Sequence, residues 1–382
     1  MGIRHVVIAG YARSPFHLAG KGGLTKVRSE DLAAQVVKAL VKRSGVKPED
    51  LEDLIVGNAF PEGEQGFNIA RIIGFLAELP QGIGAVTVNR FCGSSMQAIH
   101  QAAGAIQLGA GEAFLCAGVE SMTRVPIMGF NPMPHPELYR KMPQVFASMG
   151  DTAENVAKKY QITRKEQEEF AVTSHAKAEK ARKAGLFKDE IVSITGPKGD
   201  VVDSDGCIRA DTSLETLSSL KPAFNAEGTV TAGTSSPLTD GAAAVLVCSE
   251  DYAMKHGLTP VARLKSIAVS GCAPEIMGIG PVEATRKALS RAGLAVKDID
   301  VVELNEAFAS QSLACIRDLG LSPKSINLDG GAIALGHPLG ATGARIVGKA
   351  ASVLKREGGK YALATQCIGG GQGIATILEA IS

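Results

Sequence analysis

The 382-residue chain contains no tryptophan, and only 4% of its residues are aromatic. Proteins that bind single-stranded nucleic acid stack the bases on aromatic side chains, so the sequence argues against this class. The formal net charge is +1 and no block of basic residues occurs, which also argues against nucleic acid as a partner. No apolar run is long enough to cross a bilayer. We therefore expect neither nucleic-acid binding nor an integral membrane segment.

The seven cysteines include no C-x-x-C pair, and their number is odd. This pattern is typical of free thiols in a reducing compartment rather than of a disulfide framework. The N-terminal residues lack the apolar length of a signal peptide. No spaced set of histidine, cysteine and carboxylate residues suggests a metal site. We expect a cytoplasmic protein without a bound metal.

Two parts of the sequence resemble each other at a nearly constant shift. Residues 43–60 match residues 291–308 at a shift of 248, and Gly93, Ile99 and Ala103 match Gly340, Ile346 and Ala350 at a shift of 247. The agreement on one register predicts a duplication. Short apolar runs alternate with helical patterns in each half, which favours an α/β fold with mixed or parallel sheets.

The segment 119–237 has no counterpart in the second half. It begins with clustered prolines that forbid long helices, and a capping box of Thr163 and Glu166 then starts a charged helix. We expect an insert folded over the first half. The predicted domains are residues 1–118 with 238–257, the insert 119–237, and residues 258–382. In the first half, Ser29 is the expected N-cap of a helix that stops at Gly45.

Cys92 follows an apolar run and precedes Gly93-Ser94-Ser95, at the predicted start of a helix. The positive end of a helix dipole favours a thiolate there. His337 lies in a glycine-rich turn before the equivalent helix of the second half, so packed duplicate halves would bring it close to Cys92. A small buried hydrophobe and a satisfied core histidine are the structural alternatives.

Cys367 ends another apolar run and is followed by Gly369-Gly370-Gly371. Clustered glycine at a strand end marks close approach of the backbone to another group, and its N–H groups can bind an oxyanion. Asn305, which follows Val301–Leu304, is placed to orient a water or to donate to a developing negative charge. Alternatively, Asn305 and Glu306 cap the next helix.

The chain resembles the thiolase family, the acetyl-CoA acyltransferases, over essentially its full length. The motifs that carry the resemblance occur in family order: VNRFCGSS at 88–95, ELNEAF at 303–308, GGAIALGHPLGATGAR at 330–345 and CIGGGQG at 367–373. The resemblance implies a five-layered α-β-α-β-α fold made of two duplicated halves, with a loop domain that holds CoA.

The same resemblance implies thiolytic cleavage of 3-ketoacyl-CoA to acyl-CoA and acetyl-CoA, or the reverse Claisen condensation. Cys92 would be the nucleophile activated by His337, and Cys367 would move the second proton. Asn305 with a water, beside His337, would form one oxyanion hole, and the N–H groups of Cys92 and Gly369 would form the other. CoA is then a substrate, and no cofactor is expected.

By motif match, the resemblance places Ser236 at the pantetheine, Arg209 near the nucleotide, and Met149 and Met277 at the acyl pocket. It also implies a homotetramer built as a dimer of dimers, and it leaves open a place as a subunit of a β-oxidation multienzyme. Five of the nine methionines lie in the insert; they are either packing filler or an apolar wall for an acyl chain.

Gln65–Arg71 and Gly233–Pro237 look like degradative thiolases, whereas Ser148-Met149-Gly150 replaces the His-Met-Gly of biosynthetic enzymes. We therefore expect a broad-chain 3-ketoacyl-CoA thiolase, and the alternative is an acetoacetyl-CoA-specific enzyme. A cysteine hydrolase would have no use for Cys367. An inactive CoA-ester carrier would be expected to have lost one of the three reactive residues, and all three are present.

Overall fold

Strands and helices alternate along the chain in the computed structural model, which describes residues 4–381. The strands are β1 Val6–Arg13, β2 His17–Leu18, β3 Leu51–Gly57, β4 Gly84–Val88, β5 Ala113–Ser121, β6 Ile194–Thr195, β7 Val201–Val202, β8 Thr239–Ser249, β9 Ala262–Gly271, β10 Val301–Leu304, β11 Tyr361–Ile368 and β12 Gln372–Glu379. The helices are α1 Ser29–Ser44, α2 Ile69–Leu76, α3 Ser94–Leu108, α4 Pro136–Lys141, α5 Met149–Lys159, α6 Arg164–Lys183, α7 Leu214–Ser218, α8 Glu250–Lys255, α9 Gly280–Ala292, α10 Ala309–Leu319, α11 Ala332–Leu335 and α12 Leu339–Glu357.

The strand order is the same in the two halves. From its outer edge, the first half reads β4-β3-β5-β8-β1, and the second reads β10-β11-β12-β9. In the second half, the place of β4 is taken by a single parallel bridge, in which Ile326 pairs with Val302 of β10. Strand pairing joins the two halves through β1 and β9, where Val7 pairs with Arg263 and Ile8 with Ala262. This repeated order confirms the predicted duplication.

Three hydrophobic cores define five layers. The first lies between the first-half sheet and helices α1 and α2. The second encloses α3 and α12 between the two sheets, with Val245 from one sheet and Ala364 from the other. The third lies between the second-half sheet and helices α9 and α10. The predicted α-β-α-β-α arrangement is therefore confirmed, with α3 and α12 as its central layer.

Helices α3 and α12 approach closely because their first turns carry small residues. A Cβ on Gly343 would collide with the backbone nitrogen of Met96. The Ala344 N–H donates to Ser95 Oγ at 2.8 Å, so the two helices are also hydrogen-bonded. The equivalence of these helices was expected from the sequence repeat, and their close contact sets the distance between the turns that precede them.

The insert contacts both halves, and not only the first half, over which it was expected to fold. Its helices α5 and α6 rest on the second half, where Ser174 Oγ donates to Glu306 at 2.6 Å and Asn155 donates to the Glu275 carbonyl at 2.9 Å. Alanines on α6 pack against Ala334 and Leu335, since small side chains allow close helix contact. Residues after α6, including Ile194, pack on α1 in the first half. The domain boundaries stay a prediction.

Two predicted helix signals had different outcomes. The capping box of Thr163 and Glu166 is present at the start of α6. Ser29, however, is the first residue of α1 rather than its N-cap, which is Arg28. The Ser29 hydroxyl donates to Glu64 and Gln65 instead, because these side chains pack against the start of α1. The predicted stop is present, with Gly45 in the left-handed conformation.

Candidate active site

Cys92 lies in the short loop between β4 and α3 and is almost completely buried. Gly93 is the N-cap of α3, and Phe91 immediately before the cysteine has a positive φ of 42°. Such a conformation is strained for a bulky residue and persists only where surrounding contacts impose it. One of these contacts comes from the second half, since the Gln366 side-chain amide donates to the Cys92 carbonyl.

The N–H groups of Gly369 and of Cys92 itself point at the Cys92 sulfur and lower its pKa. Burial has the larger effect, and it raises the pKa of this thiol to about 12. The N–H groups at this helix start favour the thiolate, in line with the sequence-based expectation, whereas burial favours the protonated thiol more strongly. Cys92 is therefore a protonated thiol, and it would need a base to act as a nucleophile.

His337 occupies the turn between α11 and α12, after Gly336, whose φ of 102° is a conformation that favours glycine. Its Nδ1 lies 2.6 Å from Thr342 Oγ1, and the same hydroxyl donates to the Pro338 carbonyl at 3.0 Å. Because the hydroxyl proton is used in that bond, Nδ1 carries the imidazole proton and donates it to Thr342. Nε2 is left as the basic nitrogen.

Burial lowers the pKa of His337 to about 3, with a further contribution from the positive charge of Arg345. The Arg345 guanidinium is itself buried and pairs with Glu303 at 2.7 Å. His337 is thus a neutral imidazole, in keeping with a group that accepts a proton from a buried thiol.

Asn305 is fully buried at the end of β10, and its Nδ2 lies 3.4 Å from His337 Nε2. Its Oδ1 has no hydrogen-bond partner among residues 4–381. The alternative that Asn305 and Glu306 cap a helix is wrong, because α10 begins at Ala309 with Phe308 as its N-cap. The Glu306 carboxylate instead accepts bonds from Ser174, Asn327 and Ile333.

Cys367 lies near the end of β11, just before the glycine turn to β12. It packs in an apolar cluster with Ala153, Val230, Met277, Ala307 and Phe308, with Met149 at the edge. Burial raises the pKa of this thiol well above its usual value, and the nearby Cys92 adds to the shift. The structure therefore brings together cysteines from the two halves.

Gly369 lies under two apolar side chains. A Cβ on this residue would lie 3.6 Å from the Phe91 ring and 3.7 Å from Met149 Sδ. The Gly369 N–H faces the Cys92 sulfur. If an acyl group were bonded to that sulfur, its carbonyl oxygen could accept a hydrogen bond from this N–H.

The residues matched to CoA and the acyl chain are placed differently. Met277 and Met149 lie in the Cys367 cluster, and the Ser236 N–H donates to the Ala307 carbonyl beside that cluster. Arg209 is exposed on the insert, and its N–H donates to His175. Of the five insert methionines, Met149 alone belongs to the cluster, while Met128, Met133 and Met142 are exposed. Of these methionines, Met149 is therefore the one that packs beside Cys367.

Two polar residues near the site were missed by sequence reasoning. Thr342 sets the tautomer of His337, and Glu120 bonds to the turn that carries His337. The one available signal for Glu120 was a lone carboxylate at the end of the otherwise apolar run of β5, a position where charge needs a specific partner. Thr342 gave no signal, since threonine is common in the first turn of a helix.

Within residues 4–381 no three histidine, cysteine or carboxylate side chains lie close enough to hold a metal ion. Over the same range, no helix has the length and apolar character needed to cross a membrane.

A buried thiol on each of the two duplicated halves, together with a neutral imidazole on the turn before α12, is the arrangement of a cysteine-dependent acyltransferase. The thiolase N-terminal domain model matches residues 6–251, and the thiolase C-terminal domain model matches residues 258–380. The chain belongs to the thiolase family, which confirms the resemblance seen in the motifs.

Similar proteins cover nearly the whole chain. The 3-ketoacyl-CoA thiolase of Bacillus subtilis (strain 168) is 46% identical over 99% of this chain and 100% of its own length. The structure of human mitochondrial 3-ketoacyl-CoA thiolase in complex with CoA has a TM-score of 0.91 at 41% identity, covering 99% of this chain and 98% of the human one. The acetyl-CoA acetyltransferase of Bacillus anthracis has a TM-score of 0.91 at 40% identity, with 99% of both chains covered.

Proposed function

We propose that this chain catalyses the CoA-dependent thiolytic cleavage of 3-ketoacyl-CoA to acyl-CoA and acetyl-CoA. The observation that carries the proposal is the convergence of two buried thiols, one from each half, since Cys92 lies close enough to raise the pKa of Cys367. His337 is a neutral imidazole whose Nε2 lies 3.4 Å from Asn305 Nδ2, and it stands on the turn before α12, the helix that packs against α3. The similarity to 3-ketoacyl-CoA thiolases over the whole chain supports the same substrate class.

In the first step, the Cys92 sulfur bonds to the 3-keto carbon while His337 Nε2 takes the thiol proton. Collapse of the resulting oxyanion breaks the bond between carbons 2 and 3, and the acyl group stays on Cys92 as a thioester. The leaving acetyl-CoA carbanion takes a proton from Cys367. The raised pKa values of the Cys92 and Cys367 thiols suit this order of steps. Each thiol keeps its proton until charge develops on the group with which it reacts.

In the second step, the Cys367 thiolate removes the proton of an incoming CoA thiol. The CoA sulfur attacks the thioester, acyl-CoA leaves, and the proton on His337 returns to Cys92. The N–H groups of Cys92 and Gly369 stabilise the oxyanion of this step, and His337 with a water held by Asn305 stabilises that of the first.

The first test is the CoA-dependent loss of 3-ketoacyl-CoA enolate absorbance, with acetoacetyl-CoA compared with a medium-chain substrate. Cleavage of both, with the longer substrate preferred, supports a broad-chain thiolase. Cleavage of acetoacetyl-CoA alone would assign the enzyme to the acetoacetyl-specific branch, and no cleavage of either would overturn the proposal.

CoA and its thioesters are the proposed small-molecule partners, with no further cofactor, and the cytoplasm is the proposed location. Met149 and Met277 would contact the acyl chain, Ser236 the pantetheine and Arg209 the nucleotide. The position of the two methionines around Cys367 supports the acyl assignment. Alanine at Arg209 would raise KM for CoA while leaving kcat nearly unchanged, because an exposed cation contributes to binding rather than to the bond changes.

We also propose self-association, as a homotetramer built from dimers. In support, β4 is an edge strand, and Phe67 beside it is 96% exposed at a strained φ of 52°. Phe67, Ile72 and Phe130 line a surface cleft of about 700 Å³. Exposed apolar surface of this kind marks contact sites, so Phe67→Asp should lower the sedimentation coefficient. An unchanged coefficient would place the contact elsewhere, and a monomeric parent protein would refute self-association.

A further inference from the structure

Glu120 connects the two halves at the edge of the active site. It is 1% exposed and is the second-last residue of β5. One carboxylate oxygen accepts from the Ala59 N–H at 2.8 Å and the Gly340 N–H at 2.9 Å. The other accepts from Gln65 at 3.0 Å, from Asn58 at 3.2 Å and from the Phe60 N–H at 3.3 Å.

All five donors are uncharged N–H groups, and each requires an acceptor. The Gly340 N–H belongs to the first turn of α12, where the helix dipole also favours a negative charge. Burial raises the pKa of Glu120 to about 7, while these hydrogen bonds act to lower it. The carboxylate raises the pKa of Cys92, which shows that its charge is felt at the nucleophile.

The turn that Glu120 holds is the one that carries His337, three residues before Gly340. No side chain fits between this turn and the first half, because a Cβ on Gly340 would lie 2.7 Å from the carbonyl oxygens of Gly57 and Val119. Thr342, which fixes the His337 tautomer, lies in the same helical turn. The carboxylate is thus one of two polar contacts that fasten this turn to the first half; in the other, the His337 N–H donates to Thr239 Oγ1 on β8 at 3.0 Å.

We propose that Glu120 is a positioning residue, whose carboxylate fixes the turn bearing His337 against the first half and so places the imidazole to accept the Cys92 proton. The role rests on the proposed function of Cys92 and His337. Glu120 does not itself touch the reacting atoms.

The test uses Glu120→Gln in the full-length protein. The amide keeps the shape but turns one acceptor oxygen into an NH₂ group, which then faces only N–H donors. We expect the rate of Cys92 alkylation by iodoacetamide, located by mass spectrometry, to fall at least about tenfold, because the base no longer reaches the thiol well. Removal of the negative charge alone would have the opposite effect, since it lowers the pKa of Cys92 and speeds alkylation.

Asp300→Asn is a matched control. Asp300 also accepts hydrogen bonds from two backbone N–H groups, those of Lys360 and Tyr361. These residues lie at the start of β11, whereas Cys367 lies near the end of that strand. We expect its alkylation rate to equal that of the parent protein. In the thiolysis assay, Glu120→Gln should lower kcat about tenfold and leave KM for CoA within about twofold.

Unchanged or faster alkylation in a folded Glu120→Gln protein would overturn the proposal. If that variant does not fold, Glu120→Asp, which keeps the charge on a shorter side chain, is measured instead; slower alkylation supports the role. Parental alkylation in the aspartate variant, or failure of both variants to fold, assigns Glu120 to stability alone. Alkylation needs no CoA ester, so absence of thiolysis in the parent protein would count against the proposed function and not against this one.

Discussion

At the residue scale, Cys92 is subject to opposing influences on its acidity. Two N–H groups favour the thiolate, while burial and the charge of Glu120 favour the thiol, and the thiol prevails with a pKa of about 12. Burial also favours the neutral form of His337, whose pKa is about 3. Neither residue is charged before the substrate arrives, so proton transfer must accompany sulfur attack. This arrangement protects the thiol from side reactions, which need the thiolate.

The second thiol is predicted to serve bond cleavage and not acyl uptake. We expect Cys367→Ala to form a thioester at Cys92 from a simple acyl-CoA, since that step needs no proton for a carbanion. Cleavage of 3-ketoacyl-CoA should fall by at least about 100-fold, the low end of the effect of a general acid. Mass spectrometry of the acylated protein and the enolate assay measure the two activities.

Cys92→Ala is the matching control, and it should take up no acyl group while keeping the fold. Normal thiolysis by Cys367→Ala, or stoichiometric acyl label on Cys92→Ala, would contradict the two-cysteine mechanism.

Thr342 is predicted to act through the tautomer of His337. Thr342→Val keeps the shape but removes the acceptor of the Nδ1 proton, so the imidazole loses the bond that leaves Nε2 free. We expect kcat to fall about tenfold or more, with KM for CoA little changed. Thr342→Ser keeps the hydroxyl and should restore most of the rate. Equal activity of the valine and serine variants would show that the hydrogen bond has no catalytic role.

The reactive residues themselves were predictable because each lies in a short motif with glycine neighbours. Their supporting residues were not, because the contacts are remote in sequence. Glu120 meets Gly340 across 220 residues, and Gln366 meets Cys92 across 274. No local pattern records such a partner.

At the element scale, the contact between α3 and α12 sets the separation of the Cys92 and His337 turns. Gly343→Ala would push a methyl group into the backbone at Met96, and neither helix can shift without moving its turn. We expect the free energy of unfolding to fall by about 2 kcal/mol, the usual cost of an overpacked core. Urea denaturation followed by circular dichroism measures the change.

Gly104→Ala is a matched control within α3, because a Cβ there would meet open space. Alanine in a helix interior is more stable than glycine by about 0.5–1 kcal/mol, so this variant should gain stability. If both substitutions changed stability equally, the close helix contact would not be important to the fold.

Sequence reasoning was reliable for elements whose signals are local. The capping box of Thr163 and Glu166 needs only residues three positions apart, and it is present. Ser29 is also a local cap signal, but the tertiary contact with Glu64 and Gln65 takes its hydroxyl, and the helix begins one residue earlier than expected. The Glu306 carboxylate likewise accepts a hydrogen bond from Ser174 of the insert and does not cap α10, the helix that follows it.

At the scale of the whole molecule, buried ion pairs tie the insert to both halves. Glu190 of the insert pairs with Arg13 on β1 at 2.8 Å and with Lys349 on α12 at 3.0 Å. Lys349 also pairs with Asp329 at 2.7 Å. The sequence could not show where the insert packs, because the members of these ion pairs lie on separate segments of the chain. In addition, charged residues in a sequence are normally predicted to lie on the surface.

Buried histidines predict how stability depends on pH. Burial lowers the pKa values of His100, His175 and His337 to about 3, 4 and 3, so below pH 6.5 the unfolded chain binds protons that the folded protein does not, and stability falls. Glu120 and Glu303 act in the opposite direction between pH 7 and 4.5, since burial raises their pKa values to about 7 and the folded protein holds those protons. Glu306 acts in the same direction as these two carboxyls, since burial raises its pKa as well. The buried carboxyls therefore offset part of the slope that the histidines produce.

We therefore expect each of these histidines to lower the free energy of unfolding by about 1.4 kcal/mol per pH unit as the pH falls from 6.5 to 4.5. His100 lies in the central layer, where its ring bonds to Thr376 at 2.8 Å, and it takes no part in the proposed chemistry. His100→Asn removes one of the three histidines, so the pH slope of its unfolding free energy over that interval should differ from the parental slope by about 1.4 kcal/mol per pH unit. His5→Asn, at an exposed histidine, should keep the parental slope. Urea denaturation at several pH values measures the slopes; an unchanged slope in His100→Asn would mean that His100 takes up a proton in the folded protein, against the effect of its burial.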